Sequence, residues 1–308
     1  MPLLKSKRRF RSRHMEVHPD LIYDVGLFDG GDTAYYLFRG YNVVAVDANP
    51  VMIEEARSRF GKHIQAKRLT LLNVGIAAAP GTANFWISDN PVWSSFDGTI
   101  ASRDGTAHRP LSVSVVPFSQ ILAEHGVPHY LKIDIEGNDR LCVEALSEAK
   151  LPKYISVETE CVGDSGVLSD EEAVAMLELL RDVGYRRFKL VNQTDVRYHR
   201  FKLVNQTGWT LVRSNPAENF CTRLVTSAAR GRLRVRGLSR IAQKFIDSPP
   251  AALGFAFSRG SSGPWGDDIP GGWMTFGEAR STYLGERHAF LSQGRPLFSF
   301  WYDWHATY

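Results

Sequence analysis

The 308-residue chain has few cysteines and lacks a long hydrophobic run. Its three cysteines, Cys142, Cys161 and Cys221, are odd in number and widely spaced, which argues against a disulfide framework and against a zinc site. No apolar stretch is long enough to span a bilayer. The basic N-terminus is not followed by the apolar core of a signal peptide. We therefore expect a soluble, cytoplasmic protein without a membrane partner.

Two common nucleotide-binding signatures are also missing. The chain contains no Gly-x-x-x-x-Gly-Lys-Ser/Thr sequence, which excludes a P-loop. A dinucleotide fingerprint requires Gly-x-Gly-x-x-Gly, and Phe28 stands where the second glycine would be. Because a pyrophosphate has to pass close to that part of the backbone, a bulky side chain there argues against NAD or FAD.

The stretch from Leu21 to Pro50 nevertheless has the order of a nucleotide-binding unit. An apolar run ends near Asp24, a turn with Gly26 and Gly30 follows, and a predicted helix leads to a second apolar run that ends at Asp47. This order is typical of one half of a doubly wound α/β sheet. An ionised carboxylate at the end of the second strand can accept hydrogen bonds from both ribose hydroxyls. Such a stretch suits a cofactor that has a ribose but no phosphate to bind, and S-adenosylmethionine is such a cofactor. The alternative is an α/β turn whose glycines have only a structural role.

A second stretch, HYLKIDIEGNDR, combines a predicted strand with charged residues. Lys132, Asp134 and Glu136 alternate with apolar residues, so that they share one face of the strand. Buried charges are costly, but they are tolerated at the carboxyl end of a strand, where a doubly wound sheet opens its ligand crevice. The glycine turn that follows favours a functional site. The alternative is a structural ion pair between Lys132 and one of the acids.

Together these motifs resemble the FkbM family of S-adenosylmethionine-dependent methyltransferases. DVGLFDGGDT corresponds to the cofactor loop, VVAVDANP to the ribose acid, LLNVGIAAAPGTANFWI to the third-strand region, LKIDIEGND to the most recognisable signature, and ISVETE to the next strand. Phe28 departs from the family pattern, which often has a small or polar residue there. The resemblance implies a Rossmann-like, mostly parallel seven-stranded sheet with an antiparallel edge hairpin, followed by a C-terminal extension.

The resemblance also implies an activity, namely methylation of a hydroxyl oxygen on a small molecule such as a sugar or natural product. The cofactor-binding residues expected from it are Asp24, Gly26, Gly30, Asp32, Thr33, Asp47, Asn49 and Asn73. The catalytic candidates are Asp134, Glu136, Lys132 and Glu158. His305 is a further candidate base, although we expect it to be a surface histidine. No metal is expected. The alternatives are a non-catalytic Rossmann-like binding module and an NAD-dependent sugar-modifying enzyme.

The remaining sequence divides the chain into four segments. Residues 1–20 form a basic arm, 21–212 the methyltransferase domain, 213–262 an Arg-, Ser- and Gly-rich linker or lid, and 263–308 an aromatic extension that should pack against another part of the protein. Within the domain, the irregular stretch 88–110 is predicted to be an active-site loop.

One octapeptide, RFKLVNQT, occurs twice, at residues 187–194 and 200–207. We interpret it as a tandem duplication or as two strands of an edge hairpin. The charge is also uneven, with basic clusters at 5–13 and 223–244. The second cluster has no interleaved aromatic residues before Phe245, so a solvated helix face or a flexible arm is favoured over nucleic acid binding. The sequence makes no prediction of the oligomeric state.

Overall fold

A computed structural model of the chain describes residues 16–135, 137–148, 150–159, 162–163, 166–193, 202–203, 251–252, 255–257, 261–269, 271–294 and 300–308. The predicted base Glu136 and both basic clusters lie outside the described residues.

Within the described ranges, the strands belong to one large sheet and three small ones. In chain order they are β1 Val17–Val25, β2 Asn42–Val46, β3 Leu69–Leu72, β4 Gly75–Ile76, β5 Gly81–Ser88, β6 His108–Val116, β7 Val127–Ile133, β8 Tyr154–Glu158, β9 Val162–Gly163, β10 Gly166–Val167, β11 Arg187–Asn192, β12 Lys202–Leu203, β13 Ala251–Ala252, β14 Phe255–Ala256 and β15 Tyr302–Thr307.

Among the described residues, the large sheet has the strand order β12-β11-β15-β8-β7-β1-β2-β3. The strands β8, β7, β1, β2 and β3 are parallel neighbours. β15 runs antiparallel between β8 and β11, and β12 pairs antiparallel with β11. The predicted mostly parallel seven-stranded sheet with an antiparallel edge is therefore confirmed, with the two-residue strand β12 as an eighth member.

The edge of the sheet pairs the two copies of the repeated octapeptide. Val191 lies opposite Leu203, and Asn192 lies opposite Lys202. These two pairs agree with the interpretation of the two copies as strands of a hairpin. Residues 194–201, which connect the two strands, lie outside the described residues.

The C-terminal extension contributes a strand to the interior of the sheet. Tyr302, Trp304 and Ala306 are buried on one face of β15, whereas Asp303 and His305 are buried on the other. Trp304 has no exposed surface, as expected for a large aromatic side chain that fills a core. Strand β15 therefore belongs to the same sheet as β1, β2, β3, β7, β8 and β11, although its sequence was predicted to lie in a separate segment.

Helices cover both faces of the sheet, which makes the fold doubly wound. They are α1 Gly31–Phe38, α2 Pro50–Arg59, α3 Gly61–Gln65, α4 Gly98–Ala101, α5 Phe118–His125, α6 Asp139–Glu144, α7 Asp170–Ala173, α8 Ala175–Val183 and α9 Phe276–Leu291. Capping boxes open α7 at Ser169 and α9 at Thr275, where each hydroxyl accepts a bond from a free helix amide.

The two faces have separate cores. One core packs α5, α6, α8 and α9 against the sheet through residues such as Leu122, Val143 and Leu180. The opposite core packs α1 and α2 against it, together with Trp265 of the extension. The indole of Trp265 is stacked on Tyr130 at a ring distance of 5.0 Å. The extension thus covers part of the sheet face beside α1.

The loop at 88–110 belongs to a small sheet beside the large one. Its strands have the order β4-β6-β5, with β5 and β6 antiparallel, so most of the loop is the connection between β5 and β6. The loop contains α4 and two turns of 3₁₀-helix, at Pro91–Trp93 and Arg103–Gly105. None of the helices described combines the length and the apolar character that crossing a membrane requires.

Candidate active site at the carboxyl edge of the sheet

Acidic residues lie at the carboxyl ends of neighbouring parallel strands. Asp24 is the penultimate residue of β1, Asp47 follows β2, Asp134 follows β7, and Glu158 ends β8. Since parallel strands end at the same edge, these side chains gather where a doubly wound sheet binds its ligands. The acids that the sequence singled out therefore lie at one edge of the sheet.

The turn after β1 requires glycine at two positions. Gly26 has a φ of +91°, and a Cβ on it would lie 1.8 Å from the carbonyl oxygen of Asp134. Gly30 has a φ of +72°, and its Cβ would lie 2.8 Å from the ring of Phe60. Both conformations favour glycine. The turn is thus pressed against the end of β7, which brings the two recognised motifs into direct contact.

Asp47 is held at the end of β2 by backbone amides. Its Oδ2 accepts a hydrogen bond from the amide of Phe28 at 2.9 Å, and its Oδ1 accepts one from Asn49 at 2.8 Å. Burial raises the pKa of Asp47 to about 6, against the lowering effect of these amide bonds. The side chain of Asn49 caps α2 through Val51, and that of Asn73 donates to the carbonyl of Asp47 at 3.0 Å. These two asparagines therefore fix the backbone around Asp47.

Lys132 and Asp24 form a buried ion pair beneath the turn. The Nζ of Lys132 lies 3.2 Å from Asp24 Oδ1 and 3.7 Å from Asp134 Oδ2, and it donates to the carbonyl of Gly26 at 2.6 Å. Thr33 donates to the other oxygen of Asp24 at 2.6 Å. Burial opposes the charge of Lys132, but the surrounding carboxylates outweigh it and raise its pKa. Lys132 therefore makes the ion pair that the sequence left open as the structural alternative, and this pair is buried beneath the Gly26 turn.

Asp32 is bound by the extension. Its carboxylate accepts hydrogen bonds from the amides of Ser262 at 2.9 Å and of Gly263 at 3.3 Å. Burial raises the pKa of Asp32 to about 7. No local pattern could have predicted this contact, because the partners are separated by more than 200 residues in the sequence.

Gln193, which follows β11, meets Asp303 near the start of β15, and neither residue was among the site residues predicted from the sequence. Gln193 Nε2 donates to Asp303 Oδ2 at 2.6 Å. Burial, and then the charge of Asp134, raises the pKa of Asp303 to about 8. Asp303 lies opposite Glu158 in the sheet register. The alternation of Asp303 with His305, and the presence of Gln193 in the repeat, were the available signals.

His305 does not lie on the surface as expected. Its side chain is 1% exposed, in the middle of β15, and burial lowers its pKa to about 3 with a contribution from Lys189. The expectation of a surface histidine was wrong because β15 is an interior strand, which sequence alone did not indicate. In the sheet register His305 lies opposite Ser156 and Lys189, inside the neighbouring strands and not at their ends.

A recess separates the loop at 88–110 from the turn after β7. It has a volume of about 360 Å³ and is lined by Phe96, Asp97, Gly98, Gly137 and Asn138. The side chain of Asn138 donates to the carbonyl of Ile76 at 2.9 Å, which ties this turn to the small sheet. The predicted active-site loop therefore borders the turn that follows β7.

The strand order, with one antiparallel strand inserted near the edge, and the acids at the carboxyl edge define a Rossmann-like fold of the class I methyltransferase type. Residues 24–187 match the family described as the methyltransferase FkbM domain, which is more than half of the chain. The protein therefore belongs to the FkbM methyltransferase domain family. Among curated proteins, no sequence matches it.

Three solved structures resemble the chain at low identity. Methyltransferase FkbM from Methylobacillus flagellatus KT has a TM-score of 0.34 and 16% identity over 56% of this chain and 39% of that one. A putative rRNA-methylase from Clostridium thermocellum has a TM-score of 0.31 and 15% identity, over 57% of this chain and 78% of that one. Phosphoethanolamine N-methyltransferase 2 from Haemonchus contortus, in complex with S-adenosyl-L-methionine, has a TM-score of 0.34 and 12% identity, over 95% of this chain and 49% of that one. The chain thus spans about 39% of the length of the Methylobacillus protein, and the family assignment depends on the domain match alone.

Proposed function

We propose that the protein binds S-adenosylmethionine at the Gly26 turn and methylates a hydroxyl oxygen of a small molecule such as a sugar. The observation that carries this proposal is the position of Asp47, a half-buried carboxylate at the end of β2 beside a glycine turn, in a chain of a methyltransferase family.

The residues present fit a nucleoside cofactor. Each oxygen of Asp47 accepts one amide hydrogen bond, and a carboxylate oxygen can accept more than one. Two ribose hydroxyls can therefore donate to Asp47 without displacing the amides. Phe28 donates its amide to Asp47 at 2.9 Å, and it stands where the dinucleotide fingerprint requires a glycine so that a pyrophosphate can approach. This argues against the NAD-dependent alternative.

Lys132 suits a positioning role better than proton transfer. Its ammonium remains protonated because the carboxylates around it raise its pKa, and it joins β1, β7 and the Gly26 turn through three contacts. We infer that Lys132 and Asp24 keep the turn in the shape that receives the cofactor, and that Thr33 orients Asp24. S-adenosylmethionine, when bound, supplies the electrophilic methyl group.

Asp134 is the described residue best placed to take the proton of the acceptor hydroxyl. Its side chain is 28% exposed, whereas Asp24 is completely buried. It precedes the turn whose residues Gly137 and Asn138 line the recess beside the loop at 88–110, where an acceptor can enter. Positioning the two reactants supplies a large part of such a rate enhancement, and a general base adds roughly 10²- to 10⁴-fold. Glu158 and Glu136 remain further candidates.

The proposal is tested by methyl transfer from labelled S-adenosylmethionine to a panel of monosaccharides and their methyl glycosides. We expect transfer by the wild-type protein and a loss of at least about 10²-fold in kcat for Asp134→Asn, with binding of S-adenosylhomocysteine retained. Asp182→Asn, which alters an exposed acid on α8, is the matched control and should leave the rate unchanged. Cofactor binding without transfer to any acceptor class would instead favour the non-catalytic module.

A further inference from the structure

One corner of the crevice is built from the ends of three strands. Because β15 runs antiparallel to its neighbours, its first residues meet the last residues of β8 and β11. Thr159 donates its amide to the carbonyl of Tyr302 at 2.8 Å, and Gln193 donates its amide to that of Trp301 at 2.8 Å. We call the group of Thr159, Gln193 and Asp303 the β15 corner.

The β15 corner contains buried polar atoms without partners. Gln193 is 1% exposed and Thr159 is 6% exposed. Gln193 Oε1 and Thr159 Oγ1 have no hydrogen-bond partner among the residues that the structure describes. An unsatisfied buried polar atom costs about 1–3 kcal/mol, and folded proteins rarely leave one. Two such atoms in one corner indicate that a ligand or ordered water completes their hydrogen bonds.

The β15 corner adjoins the candidate base. Ile133 lies opposite Val157 of β8, and Asp303 lies opposite Glu158 of the same strand, so Asp134 and Asp303 flank the end of β8 on its two sides. Asp303 is bonded directly to Gln193. A substrate whose reactive hydroxyl faces Asp134 would therefore extend a neighbouring part towards Gln193 and Thr159.

The chemistry of these atoms selects the ligand group. The amide oxygen of Gln193 accepts only, whereas the hydroxyl of Thr159 both donates and accepts. The nearby acids disfavour a phosphate or carboxylate, since like charges in a partly buried site repel each other. A hydroxyl group satisfies all of these conditions, because it can donate to Gln193 and accept from Thr159.

We propose that the β15 corner is an acceptor subsite, in which Gln193 and Thr159 bind a second hydroxyl of a polyhydroxylated acceptor beside the one that is methylated. Asp303 fixes the amide of Gln193 so that its oxygen faces the ligand, which makes Asp303 a positioning residue. This inference rests on the proposed function, and it narrows the acceptor class from hydroxyl compounds in general to sugars and related polyols.

The test is saturation-transfer NMR on the full chain, saturated with S-adenosylhomocysteine, with glucose, galactose, mannose and rhamnose and their methyl glycosides as probes. We expect at least one probe to bind the wild-type protein. Gln193→Met, which keeps the length of the side chain and removes its polar atoms, should weaken that binding about tenfold or more, the effect of losing roughly 1.4 kcal/mol. Asp303→Asn should weaken sugar binding less than Gln193→Met, because the asparagine amide has nearly the same shape as the carboxylate that it replaces.

Two controls keep the outcomes distinct. Gln120→Met makes the same change on the exposed side of α5 and should not alter sugar binding. All variants should bind S-adenosylhomocysteine like the wild type, which verifies that they fold. If the wild type binds S-adenosylhomocysteine but no sugar, or if it binds an amine such as ethanolamine instead, the polyol subsite is wrong although the cofactor site stands. Sugar binding that is unaffected by Gln193→Met also overturns the proposal. A failure to bind S-adenosylhomocysteine counts against the proposed function itself.

Discussion

Gly26→Ala should destabilise the protein by more than about 4 kcal/mol, a loss that falls among the largest for single substitutions. The added Cβ would lie 1.8 Å from the carbonyl oxygen of Asp134 and 2.8 Å from its carbonyl carbon. Both atoms belong to the backbone of the turn after β7, which cannot move aside as a flexible side chain would. Relief of the clash requires the two motifs of the crevice to separate, so cofactor binding should be lost as well.

Gly40 provides a matched control for this prediction. Its φ of +92° is nearly identical to that of Gly26, but a Cβ on Gly40 would meet no atom within 4 Å. Gly40→Ala therefore carries only the left-handed backbone strain, about 1–2 kcal/mol. Urea unfolding followed by circular dichroism measures both losses. Equal losses for the two variants would show that the clash with Asp134 is not the reason for glycine at position 26.

Lys132→Met should cost about 3–5 kcal/mol, because it leaves a buried carboxylate without its cation. Asp24 has no exposed surface, and its remaining side-chain hydrogen bond is the one from Thr33. The substitution also removes the donor to the carbonyl of Gly26. The double variant Asp24→Asn/Lys132→Met should recover part of the loss, since it removes the uncompensated charge.

Lys189 is the control for burial itself. Lys189 is 1% exposed and Lys132 is 3% exposed, but Lys189 donates to the carbonyl oxygens of Gly266 and Ile269 and not to a carboxylate. Burial lowers its pKa to about 8, against the opposing effect of Asp267 and Asp268. Lys189→Met should therefore cost less, about 1–3 kcal/mol for its unsatisfied carbonyls. A larger loss for Lys189→Met than for Lys132→Met in urea unfolding would contradict the assigned role of the ion pair.

The part of the sheet whose strands follow one another closely in the sequence could be predicted from local patterns. The first strand, the glycine turn and the second strand lie within thirty residues, and their apolar periodicity determines the order of elements. β15 could not be predicted in the same way. Its sequence YDWHAT mixes charged and aromatic residues, although all six are buried, and its partner β11 ends 110 residues earlier, as the bond from Asn192 to Tyr302 illustrates.

The residues of the candidate site likewise differ in whether local sequence patterns could predict them. Asp47 was predicted because it ends a recognisable apolar run, and Lys132 and Asp134 were predicted because they alternate with apolar residues along a strand. The contacts that Asp32 makes with Ser262 and Gly263, and the pairing of Gln193 with Asp303, depend on the return of the chain to the sheet after a long insertion. Local patterns carry no information on such contacts, so the part of the crevice built by the extension could be found only in three dimensions.

Binding of the nucleoside of S-adenosylmethionine by the turn at Gly26 and the carboxylate of Asp47 is the central property that we infer for this protein. Titration calorimetry of the full chain with S-adenosylhomocysteine, and separately with NAD, tests it most directly. We predict binding of S-adenosylhomocysteine, no binding of NAD, and a loss of at least about 10²-fold in affinity for Asp47→Ala, since charge-assisted hydrogen bonds contribute roughly 1.5–3 kcal/mol each. Two results would contradict this expectation. One is that the wild type binds NAD and that Asp47→Ala still binds both ligands, and the other is that the wild type does not bind S-adenosylhomocysteine.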